Sequence, residues 1–154
     1  MAPVETMIRL AGLVAAGLFA GSGLMETFVQ QPARNAASPK VALEQMQHVL
    51  ARADPYMPLL AVGALLAAIV SAMMKFAVLP LVAASFFGAI FILSGVAIKP
   101  LNKRIRAYAL EQADPATAAV MVRGWGRLHA VRAGAGVLGF VTLILSFSLT
   151  GAPA

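Results

Sequence analysis

Residues 56–98 read YMPLLAVGALLAAIVSAMMKFAVLPLVAASFFGAIFILSGVAI, and Lys75 is the one charge among them. It divides two charge-free runs, Tyr56 to Met74 and Phe76 to Ile98. Each approaches or exceeds the ~18–20 residues that a helix rising ~1.5 Å per residue needs to cross ~30 Å of hydrocarbon. Working outward, Ala133 to Ala154 carries no charge and Leu10 to Ala33 carries only Glu26. The whole chain of 154 residues is 60% hydrophobic and 12% charged, against about 45–50% and about 25% in soluble domains. These numbers predict an all-α integral membrane protein: one four-helix bundle over 1–154, with spans near 8–30, 55–74, 79–98 and 117–149.

Several chemistries are excluded. With Cys 0 there is no disulfide, thiolate metal site or thiol nucleophile. No phosphate-cradling glycine loop, H-E-x-x-H or G-x-S-x-G is present. The first apolar run follows Glu5 and Arg9 rather than a basic cluster and is too long for a signal core, so a cleaved leader is not expected. The net charge of +6 comes from basic residues beside the spans. It therefore reads as membrane orientation and not as nucleic-acid binding.

Helix starts are marked by Ser38-Pro39, Asp54-Pro55 and Asp114-Pro115, each a capping oxygen ahead of a proline at the first helical position. From Pro39 to Ala53, Leu43, Met46, Leu50 and Ala53 alternate with Lys40, Glu44, Gln45, His48 and Arg52 at helical spacing. This predicts an amphipathic helix lying on the membrane surface at 39–53. A second surface helix is expected at 102–113. The recurrence of Ala-Asp-Pro at 53–55 and 113–115 raises a duplicated two-span unit beside a chance repeat of a common helix start. From Pro115 to Leu149 a continuous helix would exceed ~50 Å, so its first turns must project beyond the hydrocarbon. The long loops hold nearly all the Lys and Arg, whereas the other face has Arg9 and Lys75. The expected placement is the cell inner membrane, multi-pass, with both termini outside and the long loops cytoplasmic.

Ionisable residues within spans are costly and point to function. Glu26 and Arg132 reach similar depth, each 17 residues from the far end of its span at Arg9 or Leu149, and an ion pair between them is expected if the first and fourth helices are neighbours. Trp125, His129 and Arg132 share one face of the last helix. Gln30 and Gln31 end the first span, Asn102 ends the third, and His48 lies on the first surface helix. Such convergence of a few polar groups in an apolar bundle suits a small-molecule site. The bland alternatives are a structural ion pair, an interfacial tryptophan and a satisfied histidine. No cofactor is expected; a mononuclear metal on His48, His129 and Glu26 is arithmetically open. The scattered methionines read as packing, and Gly17 and Gly21 as a small-residue face for helix packing, with dimerisation second.

The span end Lys99-Pro100-Leu101-Asn102-Lys103-Arg104, with Trp125-x-x-x-His129-x-x-Arg132 entering the last span, resembles the anthrone-oxygenase-like family of small four-span membrane proteins. Ile98 stands where that pattern would carry Asn or Thr. For fungal members the family implies oxygenation of a polycyclic phenolic anthrone to a quinone without an obvious prosthetic group. On that resemblance His129 would be the base, with Arg132 and Asn102 stabilising the anion. Glu26, Gln30, Trp125 and His48 would then line a site for a lipophilic aromatic or quinol-like substrate arriving through the membrane lipids. Two other readings stand beside this one: a non-catalytic membrane subunit or scaffold, as a homo-oligomer or within a larger complex, and a small transporter.

Overall fold

The computed structural model of the chain describes residues 3–75, 77–112 and 114–150, and among them every regular element is helical. Four helical stretches are long and apolar enough to cross a membrane: Pro3–Ala36, Tyr56–Met74, Val78–Ala107 and Pro115–Leu149. The chain is an all-α, multi-pass membrane protein.

Two of these stretches are not uniform. The first runs from α1 (Pro3–Met25) through a π turn at Glu26–Gln30 into α2 (Gln31–Ala36). After α3 (Pro39–Ala53) and α4 (Tyr56–Lys75), the third stretch repeats the device: α5 (Val78–Leu93), a π turn at Ser94–Ile98, then α6 (Lys99–Ala107). In both cases a proline, Pro32 or Pro100, lies at the start of the helix that follows. Proline has no N–H to give and its ring crowds the carbonyl four residues back. The wider π turn just before it accommodates both constraints.

The spans pack in a ring in which α1 touches α4 and α7 (Pro115–Thr150), and α5 touches the same two. Small residues set the approach. A Cβ added at Gly12 would lie 2.3 Å from the Ala67 Cβ, and one at Gly23 would lie 2.9 Å from the Ala133 Cβ. The core between them is Ala16, Ala61, Ala64, Ala68 and Ala83, closed by Phe19, Phe87, Ile90 and Leu143. This is packing by close backbone approach, as expected where lipid gives helices no hydrophobic reason to associate. The expected Gly17/Gly21 pair is only half used: Gly17 faces the Phe140 ring, and nothing lies within 4 Å of a Cβ at Gly21.

At one end the helices outrun the bundle and form a cap. The amphipathic α3 buries Ala42, Leu43, Met46 and Leu50 against Ile105, Ala118, Val122 and Trp125. Its apolar face is thus covered by protein rather than lipid, while Lys40, Glu44, Gln45, His48 and Arg52 are exposed. The expected helix at 102–113 is instead the outer end of α6 followed by a 3-10 turn at Leu110–Gln112. Gln47 from α3 donates to the carbonyls of Ile105 and Tyr108 at 2.8 and 2.9 Å, satisfying the end of α6.

The two Ala-Asp-Pro tripeptides diverge. Asp114 caps α7 by accepting from the Thr117 N–H at 2.8 Å and from the Thr117 hydroxyl at 2.7 Å. That hydroxyl, and then the N–H, holds the Asp114 carboxyl below its usual pKa. Asp54 instead keeps helical angles (φ −58°, ψ −34°), not the extended backbone of an N-cap, and its carboxylate leaves the helix axis altogether.

Charge is also buried at positions that hydropathy does not single out. Glu5 and Arg9 pair at 2.7 Å inside the opposite end of the bundle, with the Arg9 guanidinium over Phe147. Arg34, at 1% exposure the largest fully buried side chain, pairs with both carboxylate oxygens of Glu26. The expected Glu26–Arg132 pair is therefore not formed, although α1 and α7 are neighbours. Arg34 is closer in sequence, across the π turn, and takes the carboxylate first.

Two consequences are measurable by unfolding in detergent. Gly12→Leu should cost about 1–3 kcal/mol through overpacking, whereas Gly21→Leu should be nearly neutral. Arg34→Met should cost about 3–5 kcal/mol because it strands a buried carboxylate, and the double variant with Glu26→Leu should recover most of that loss.

Candidate functional site

A cavity with polar residues in its wall lies where both π turns, the α3–α4 junction and α7 meet. Glu26 reaches it from the first π turn, Ile98 from the second, Asp54 from the α3–α4 junction, Asn102 from α6, and Trp125, His129 and Arg132 from α7. This lobe has a volume of about 110 Å³. A second lobe of about 260 Å³ shares Asp54, Asn102 and Arg132 and continues between α4 and α5 past Pro58, Ala61, Ile90 and Phe91. The walls are mainly apolar, with a few polar groups where the lobes join, the usual make-up of a ligand pocket.

The polarity of each hydrogen bond follows from groups that can only donate. The Trp125 indole N–H donates to Asn102 Oδ1 at 2.9 Å, which turns the Asn102 amide nitrogen toward Asp54. That nitrogen donates to Asp54 Oδ1 at 3.3 Å, while Arg106 donates to Oδ2 and also, at 2.8 Å, to the Leu50 carbonyl. Asp54 therefore accepts at both oxygens, as an ionised carboxylate does. On the other side of the indole, His129 stacks on Trp125 with centroids 4.5 Å apart and planes at 19°. Arg132 Nη2 lies 2.8 Å from His129 Nδ1. A guanidinium has no acceptor, so Nδ1 must accept, and the proton of the neutral ring resides on Nε2. Nε2 is buried and has no partner among the described residues.

This arrangement places the sequence-predicted residues plainly. Glu26, Asn102, Trp125, His129 and Arg132 converge on the cavity. Gln30 and His48 do not line it, and His48 is exposed on the outer face of α3. The glutamine that acts structurally is Gln31, which donates to the Val122 carbonyl at 3.2 Å. Trp125, for which a position at the lipid interface was the bland alternative, is buried at 4% exposure with the Arg34 guanidinium over its ring. With Nδ1 accepting from Arg132, Nε2 carries the ring proton, and His129 as placed is a donor there. Among the described residues no three of His, Asp and Glu gather as a metal-binding group, and His48 lies outside the arithmetic site.

Asp54 is a cavity residue that sequence reasoning did not place in the site, and Arg34 and Arg106 are the partners, outside the cavity lining, that hold Glu26 and Asp54. Asp54 was disguised as a helix cap by its proline. Arg34 and Arg106 sit in basic segments that read as orientation signals.

A comparison with known families supplies the rest. The sequence profile of the anthrone oxygenase family matches residues 46–142, which include Asp54, Asn102, Trp125, His129 and Arg132 but not Glu26 or Arg34. No curated protein and no solved structure matches the chain. A match that covers more than half of the sequence, on a four-span bundle and including most of the polar residues of the cavity, makes this chain a member of the anthrone oxygenase family.

Proposed function

We propose that the protein oxidises a lipophilic, fused-ring phenolic substrate of the anthrone type with dioxygen, in the two-lobed cavity and without a prosthetic group. One observation carries this reading: a buried, unpartnered His129 Nε2 on a ring that lines an apolar cavity, held in the donor tautomer by Arg132. A lone buried donor is expensive to leave unmet, and the oxygen of a bound enolate or phenolate would meet it.

The reaction balances as methylene plus dioxygen giving carbonyl plus water. The substrate methylene loses a proton and its electron pair delocalises onto the ring oxygen. The resulting carbanion reduces dioxygen and forms a carbon–oxygen bond. One oxygen atom stays as the new carbonyl, and the other leaves as water with the two hydrogens. His129 and Arg132 stabilise the anion in a site poor in water, where such donors act most strongly. The Trp125 ring supports a flat partner beside His129. The first lobe, at about 110 Å³, is below the roughly 300 Å³ at which ligand pockets begin, so a fused-ring substrate must occupy both lobes. Pro58, exposed and within the charge-free run Tyr56 to Met74, marks the side facing lipid.

Turnover is tested by presenting a dihydroxylated anthrone to the protein in liposomes and following oxygen uptake and quinone absorbance. His129→Ala and Arg132→Ala should each lower the rate by roughly 100-fold or more with helicity and insertion unchanged. A protein no faster than empty liposomes would refute the reading. We propose further that the cap faces the cytoplasm of a cell inner membrane and both termini face out, since Lys and Arg concentrate at the cap. The natural chain lacks cysteine, so single cysteines at Lys40 and Ala109 should resist an impermeant thiol reagent in intact cells. Labelling there without permeabilisation would reverse the orientation.

A further inference from the structure

The site needs a proton acceptor, and the tautomer of His129 removes the obvious one. Two carboxylates line the cavity, Glu26 and Asp54. They differ in what protonation would do to their partners.

Glu26 is engaged by Arg34 at both oxygens, and the Arg34 side chain is 0% exposed. Neutralising Glu26 would leave that guanidinium buried without its counter-ion, a loss comparable to breaking a buried pair. The pair is therefore a fixed element of the wall.

Asp54 lies at the junction of both lobes. Its partner Arg106 is 43% exposed, as is the Asp54 side chain itself. If Asp54 takes up a proton, Arg106 can turn to water and still keep the Leu50 carbonyl. Asp54 alone among the cavity's carboxylates faces the cavity on one side and solvent on the other. It can receive a proton from a bound molecule and pass it to bulk water. The Trp125–Asn102 hydrogen bond fixes the amide that holds Asp54 Oδ1, so the indole that stacks on His129 also positions the carboxylate.

We infer that Asp54 is the proton acceptor of this site, and that His129 is the N–H donor to the substrate oxygen on which the electron pair comes to rest. The assignment rests on the functional reading above. In the step, a substrate C–H bond breaks, the proton bonds to an Asp54 carboxylate oxygen, and the electron pair remains on the substrate as the enolate. No oxidant is needed for this half of the reaction, so it can be examined alone.

The experiment is anaerobic exchange of the methylene hydrogens of a dihydroxylated anthrone with deuterium from heavy water, catalysed by the full-length protein in liposomes. Quenching of the single tryptophan, which stacks on His129, reports binding separately. Wild type should catalyse exchange, and Asp54→Asn should bind the anthrone but lose roughly 100-fold or more of the exchange rate. Asp54→Glu should restore part of it. Arg106→Gln, which removes the exposed partner and leaves the carboxylate, should stay within about tenfold of wild type. If Arg106→Gln reproduces the Asp54→Asn defect, or if Asp54→Asn exchanges like wild type while His129→Gln does not, the assignment is overturned and Asp54 is only a strut. If wild type neither binds nor exchanges, the functional reading itself falls and takes the assignment with it.

Discussion

The buried guanidinium of Arg34 is the constraint on which the remaining geometry depends. It ties the end of the first span to the middle of the fourth by holding Glu26 on one side and lying over Trp125 on the other. A charge at this depth is tolerable only when its counter-ion and its aromatic neighbour are both in place. Those two partners fix the position of the indole. The indole then fixes Asn102 by a hydrogen bond and His129 by stacking. The polar face of the cavity is thus a chain of dependencies that begins outside the cavity, at a residue with no contact to the lumen.

The two π turns make room for this chain. Beyond each turn the following segment, α2 or α6, packs against α3 at the end of the bundle where the cavity lies. Below the cap, glycine and alanine bring the backbones close, and the volume that their missing side chains would occupy is not returned as empty space. The polar cavity lies at the level of the π turns, where larger residues line it.

Much of this was legible in the sequence because membrane solvation is an unforgiving filter. Charge-poor runs of the right length marked four spans and the all-α fold. The Trp125, His129 and Arg132 spacing gave one wall of the cavity. What could not be read follows from partner choice. Glu26 had two arginines within reach, and hydropathy does not say which one a π turn delivers. The amphipathic pattern of α3 is the same whether lipid or α7 covers its apolar face. Asp54 and Asp114 stand in identical tripeptides, and only tertiary neighbours decide that one caps a helix while the other turns to Asn102 and Arg106. The prolines at 32 and 100 were the available signal for the π turns.

The second lobe, running between α4 and α5 past Pro58, bears on what concentration means for this protein. Under the proposed function, a lipophilic substrate reaching the cavity by that side would be drawn from the bilayer, where each buried CH₂ favours partition by about 0.8 kcal/mol. Occupancy would then follow the mole fraction of ligand among lipids and not its molarity in water. Diluting the membrane with inert lipid would lower the rate at constant total ligand, and added buffer would not. A weak pocket of modest volume would still fill, because the solvent around it has already done the gathering.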